Sequence, residues 1–268
     1  MGKVFVSAHE VKLGRFIDTR FNLQDSEWGK QAFQKGHIQG AVYWDLEQDL
    51  SDMTKNDGRH PMPSKEHLQQ LFEQAGLNKD DFIYIYDQGG SPFSARAWWM
   101  LKYANFQNVY LVNGGFEALK QAGFVVTNDE TIYDRSNLTL DWNESIYSSR
   151  ENVKSIVDGH KQAVLLDARS GARYRGETEP LDKVAGHIPT AKNFDWEQLK
   201  QGLELHANDE LLSRFNLEDE IVVYCGSGVT ASPLYAILAN SGYENIKLYV
   251  GSYSDWITQY EVETGENK

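Results

Sequence analysis

Cys225 is the only cysteine among 268 residues, and it opens the run Cys-Gly-Ser-Gly-Val-Thr-Ala over 225–231. An apolar stretch, 221–224, precedes it, and a helical pattern over 231–241 follows, with Gly242 as its stop. Two glycines in four residues let the backbone curl with its N–H groups turned inward as an anion-binding concavity. The helix adds the positive end of its dipole. Such a cradle favours a thiolate over a thiol and would hold a persulfide anion on the same sulfur. A lone cysteine is more often a small buried hydrophobe, but one at the head of a Gly-x-Gly loop points to a nucleophile. With no second cysteine, an intramolecular disulfide is excluded.

The elements that must carry this loop occur twice. Phe16-Ile17-Asp18-Thr19-Arg20 corresponds to Leu165-Leu166-Asp167-Ala168-Arg169, and Gly36-His37-Ile38 to Gly186-His187-Ile188, at displacements of 149 and 150 positions. The strand pattern at 82–86 corresponds to 221–224, and 109–116 to 246–253, with displacements of 138 and 137. Four landmarks in one order mark a tandem duplication with loops of unequal length. Near-continuous apolar runs alternating with helical stretches (94–104 in the first half, 231–241 in the second) predict an α/β fold. Two similar domains are expected, each a mostly parallel sheet flanked by helices: 1–126, then a polar connector 127–150, then 151–268. Ligands in such sheets sit off the carboxyl ends of the strands, where the second half has Cys225 and the first has Asp87. The first domain is therefore expected to be catalytically inactive. His37, His187 and the pairs Asp18/Arg20 and Asp167/Arg169 recur in both halves, which assigns them to the fold.

The doubled Gly-His-Ile, Asp87, the loop Cys225–Thr230 and the segment Gly171-Ala172-Arg173-Tyr174-Arg175-Gly176-Glu177-Thr178-Glu179-Pro180 together resemble the tandem rhodanese-type sulfurtransferases over nearly the whole chain. The resemblance implies transfer of sulfane sulfur through a persulfide on Cys225, cradled by the backbone of Gly226, Gly228, Val229 and Thr230. Neutral Gly226 and Ser227 stand where thiosulfate-preferring members carry basic residues, so the donor implied is 3-mercaptopyruvate. Thiosulfate is the alternative donor, and a non-enzymatic persulfide carrier or a purely structural tandem domain are rivals of another class. Ala231 occupies the position of the arginine that clamps phosphate in related phosphatases, which disfavours that chemistry. By the same resemblance Arg173 binds the donor's acidic group through its planar fork, with Lys183 as a second cation. The segment Gly58-Arg59-His60-Pro61 supplies His60, which would join Ser227 and an acid, Glu47 with Asp49 competing, in a relay. Trp98 and Trp99 are expected in packing or between domains, and Trp256 over the active loop.

The net charge of −13 argues against nucleic acid and requires a local positive site for any anionic substrate. Seven histidines lack metal-ligand spacing, so no metal and no cofactor are expected. The partners implied are a small sulfur donor and an acceptor such as cyanide, a small thiol or a thioredoxin-like protein. No window approaches the ~20 apolar residues of a membrane span and no leader pattern opens the chain, so a cytoplasmic location is expected.

Overall fold

The apolar runs become strands buried on both faces: Ile83–Tyr86 and Ile221–Tyr224 are buried throughout, each inside a parallel sheet. The computed structural model describes residues 2–266. The first sheet holds β1 (Phe5–Val6), β2 (Arg15–Asp18), β3 (Ala41–Tyr43), β4 (Ile83–Tyr86) and β5 (Val109–Val112), in the order β1-β5-β4-β2-β3. The second holds β6 (Val164–Asp167), β7 (Lys192–Asn193), β8 (Ile221–Tyr224) and β9 (Ile246–Leu248), in the order β9-β8-β6-β7. Every pairing in both is parallel.

The duplication is preserved in the register. Asp18 lies opposite Tyr86 and Asp167 opposite Tyr224, so Asp87 and Cys225 leave equivalent strand ends. Arg20 binds Asp18 (Nη2–Oδ2 2.6 Å) and the Gly36 carbonyl at 2.7 Å, while Arg169 binds Asp167 (2.7 Å) and the Gly186 carbonyl at 2.6 Å. His37 stacks on Phe33 and His187 on Tyr174, with ring centroids 3.7 and 3.9 Å apart. These residues tie the strand ends to the Gly-His-Ile turns, which is the fold-level role the repeat implied.

Helices α1 (Phe93–Tyr103) and α2 (Ala231–Asn240) follow the two strand ends and are almost wholly buried, because each packs on its own sheet and on the other across the domain interface. Trp98 of α1 lies 6.1 Å from Tyr235 of α2, ring to ring, and Trp99 is equally buried. Gly242, at φ +94°, ends α2. Trp256 departs from expectation. It packs with Val222 and Tyr224, on the sheet face opposite the Cys225 side, and its ring lies 4.7 Å from Tyr260. Alternation along β8 sends those side chains away from the loop, so Trp256 does not cover it.

The unequal loops also have a structural meaning. Gly36 and Asp87 are fifty-one positions apart, Gly186 and Cys225 thirty-nine. The longer first-half stretch includes an irregular segment, 44–64, that crosses to the second domain. Gly58 makes the approach at φ +105°, where a Cβ would lie 2.9 Å from the Gly251 carbonyl oxygen. The Arg59 N–H then donates to Ser254 Oγ at 3.0 Å. Between the domains, 128–149 holds one short turn of helix, Glu144–Ile146, and Ser149 caps the next helix, Arg150–Val157. Among the described residues no helix is long and apolar enough to cross a membrane.

Candidate active site

Cys225, 1% exposed, faces a cavity of about 600 Å³ lined by Arg59, His60 and Glu47 of the first domain and Arg173 and the cysteine loop of the second. The loop is held by its carbonyls. Tyr253 N–H donates to the Cys225 oxygen (2.9 Å), Ser254 N–H to that of Gly226 (2.9 Å) and Ser232 Oγ to that of Gly228 (2.9 Å). These bonds fix the loop through its acceptors and not through its donors. Among the described residues, none of the N–H groups from Gly226 to Thr230 has a protein acceptor. Gly228 is required twice over, by φ +74° and because a Cβ would sit 2.3 Å from the Val250 oxygen. Five free donors precede α2, an arrangement able to hold an anion.

The first domain fills the equivalent space itself. The Asp87 carboxylate accepts from Gly89 N–H (2.8 Å), Ser94 N–H (3.1 Å) and Ser94 Oγ (2.8 Å). Burial pushes its pKa up to about 6. The position of the nucleophile is taken by a resident acid that caps α1.

Two guanidiniums converge over Gly226, where an added Cβ would meet Arg59 Nη2 at 2.4 Å and Arg173 Nη2 at 3.4 Å. Arg173 is gripped by Glu179 (Nη2–Oε1 2.8 Å) and Asp182 (3.2 Å), and Arg59 Nη1 pairs with the same Asp182. Glu179 also accepts from Arg169 Nη1 at 3.2 Å, which links the cluster to the strand end at Asp167. Among the described residues Arg59 Nη2 and Arg173 Nη1 have no acceptor, leaving donors for a planar anion. Lys183, expected as a second cation, does not line the cavity. It is exposed and outside the cavity, because the chain turns there to put Asp182 inward. Arg59 takes the place beside Arg173, from the other domain.

His60 Nδ1 lies 2.8 Å from Ser227 Oγ. Burial first, then the charges of Arg96 and Arg59, hold the imidazole down at about 3, so it is neutral at any physiological pH. Among the described residues no carboxylate hydrogen-bonds the ring. Glu47 lines the cavity without bonding it, and Asp49 instead accepts the Asp45 N–H at 2.7 Å, capping its own turn. The arrangement is a histidine–serine pair across the domain interface, without the third, acidic member. Arg59 and the buried Arg96, which reaches the carbonyls of His60 and Ser227, were not singled out from the sequence. A charged residue inside the apolar run Ala95–Leu101 was the available signal for Arg96.

The rhodanese-like domain family matches residues 6–122 and again 149–259. A probable 3-mercaptopyruvate sulfurtransferase of Pseudomonas aeruginosa is 38% identical over 263 residues, 93% of this chain and 92% of that protein. A putative thiosulfate sulfurtransferase, SseB of Mycobacterium tuberculosis, is 35% identical over 273 residues, 95% of this chain and 94% of its own. The crystal structure of SseA from Escherichia coli, described as a 3-mercaptopyruvate sulfotransferase of rhodanese fold, aligns with a TM-score of 0.79 at 29% identity, covering 94% of this chain and 99% of that one.

Proposed function

This chain belongs to the rhodanese-like family as a two-domain sulfurtransferase, and on that premise we propose that it takes sulfur from 3-mercaptopyruvate onto Cys225 and passes it to a thiophilic acceptor. The Cys225 thiolate attacks the donor sulfur. The S–S bond forms, the C–S bond breaks, and the electron pair goes to the methylene carbon as the enolate of pyruvate. The proton of the donor thiol moves through the Ser227 hydroxyl to that carbon, leaving pyruvate and a Cys225 persulfide anion. The N–H groups of Gly226 to Thr230 hold the charged sulfur, while Arg59 and Arg173 hold the donor carboxylate. Cyanide or a thiolate then attacks the outer sulfur and expels Cys225 as thiolate. No step consumes an oxidant or reductant.

The observation that carries this donor assignment is the 2.8 Å contact between His60 Nδ1 and Ser227 Oγ beside Cys225. An enolate leaving group needs a proton delivered to carbon, and a hydroxyl aligned by a neutral imidazole is placed to deliver it. Thiosulfate would release sulfite, which needs none. Glu179 and Asp182 also offset the charges of Arg173 and Arg59, which suits a single carboxylate better than a dianion. Turnover with each donor at equal concentration, cyanide as acceptor, tests the reading. Preference for 3-mercaptopyruvate, lost in Ser227→Ala, supports it. Preference for thiosulfate, indifferent to Ser227, assigns the other donor.

A further inference from the structure

Helix α1 carries one charge in its most deeply buried stretch: Arg96, 1% exposed, between Ala95 and Ala97. The other two buried arginines, Arg20 and Arg169, each hold an aspartate. Arg96 holds only neutral groups. Nε and Nη2 donate to the Leu50 carbonyl at 3.1 and 2.9 Å, Nη2 also to the His60 carbonyl at 2.9 Å, and Nη1 to the Ser227 carbonyl at 3.4 Å. Among the described residues no carboxylate is within ion-pair distance of it. A buried cation without a counter-charge is costly, and packing alone would be served by an apolar side chain.

Two features of its surroundings account for it. The carbonyls it grips from one side belong to His60 and Ser227, whose side chains hydrogen-bond to each other. One planar fork thus fixes both partners across the domain interface. Its fork also reaches the Ser227 carbonyl, two residues after Cys225, so the guanidinium lies behind the loop that carries the sulfur, where a charged sulfur would favour its charged form against burial.

We propose that Arg96, from the domain that lacks a nucleophile, is a positioning residue that aligns His60 with Ser227 and supplies the fixed counter-charge for the Cys225 thiolate and persulfide. This deepens the reading of Cys225 as the sulfur carrier and rests on it for the persulfide. It also gives the inactive domain a second task besides supplying cavity wall, since a guanidinium buried in its core lies behind the loop of its partner domain.

The test uses the full chain and two variants. In folded Arg96→Met, alkylation of Cys225 by iodoacetamide at pH 7 is expected to slow roughly tenfold or more. kcat with 3-mercaptopyruvate falls while KM stays within about twofold, because the donor's carboxylate is held elsewhere. Arg96→Lys keeps the charge and loses the fork, so alkylation stays near wild type while kcat still falls. Arg96→Met that folds, as judged by near-ultraviolet circular dichroism, and alkylates at the wild-type rate overturns the counter-charge. Should Arg96→Met not fold, Arg96→Lys with wild-type kcat overturns the positioning role. Arg96-dependent alkylation in a protein that accepts sulfur from neither donor keeps this inference and removes the transfer reading, so the two failures are distinguishable.

Discussion

His60 Nδ1 and Ser227 Oγ meet at 2.8 Å although 167 positions and a domain boundary separate them. The histidine arrives on the irregular segment that crosses from the first domain, the serine on the loop that opens with the nucleophile. If this pair protonates the leaving enolate, Ser227→Ala lowers kcat/KM for 3-mercaptopyruvate by about 10²-fold, the lower end for a positioned proton donor. Cyanide discharge of a preformed Cys225 persulfide stays within a few fold, since that step needs no proton on carbon. Stopped-flow measurement of the two half-reactions decides it; equal losses in both would remove the proton role.

His60 is held at about 3 against an ordinary value of 6.5. Between those limits the unfolded chain binds a proton there and the folded chain does not, so this residue makes stability fall as pH falls from about 6.5 towards 3. The slope it contributes is up to about 1.4 kcal/mol per pH unit. Urea unfolding at pH 4 to 7 is expected to show a steeper acid loss in the wild type than in His60→Gln. Parallel pH dependences would mean that the ring ionises freely in the native state. The kcat/KM profile should likewise carry no limb near 6.5 from this residue.

Arg59 and Arg173 share Asp182 and converge over Gly226. A charged hydrogen bond contributes about 1.5–3 kcal/mol, so alanine at either arginine is expected to raise KM for 3-mercaptopyruvate roughly 10- to 100-fold with a smaller change in kcat. Asp182→Asn, which loosens both guanidiniums without removing either, should raise KM less. Steady-state kinetics on the three variants test the pair. An Arg59→Ala variant with wild-type KM would leave Arg173 as the sole anchor.

The repeat, the α/β class, the strand ends and the cysteine loop were legible because each has a local signature: an apolar run, a Gly-x-Gly turn, a helix start. Cys225 against Asp87 was likewise visible by aligning the halves. The second cation was not. Lys183 is near Arg173 in sequence, but side-chain direction at 182–183 is set by tertiary structure, and Arg59 is supplied from 114 positions upstream of Arg173 by a segment without regular structure. Glu47, expected as the acid member, lines the cavity without bonding His60, and its spacing from His60 crosses irregular backbone, so that contact could not be read from the sequence. Trp256 follows from the pleat of β8, whose faces cannot be assigned before the sheet order is known.

Gly228 is the position where the cradle tolerates least. Its positive φ, and the Val250 oxygen 2.3 Å from where a methyl group would stand, predict that Gly228→Ala loses about 1–3 kcal/mol of stability and turns N–H groups out of the site. Thermal unfolding together with the iodoacetamide rate at Cys225 checks both effects. Gly202→Ala, on an open turn of the same domain, serves as the control for a glycine at positive φ with space around it.

If Cys225 carries the transferred sulfur, intact mass spectrometry reads it directly. The wild type treated with 3-mercaptopyruvate is expected to gain the mass of one sulfur, lose it to cyanide as thiocyanate, and gain nothing as Cys225→Ser. Gain from thiosulfate alone would keep the persulfide and change the donor. A folded wild-type protein that gains no sulfur from either donor would contradict the account.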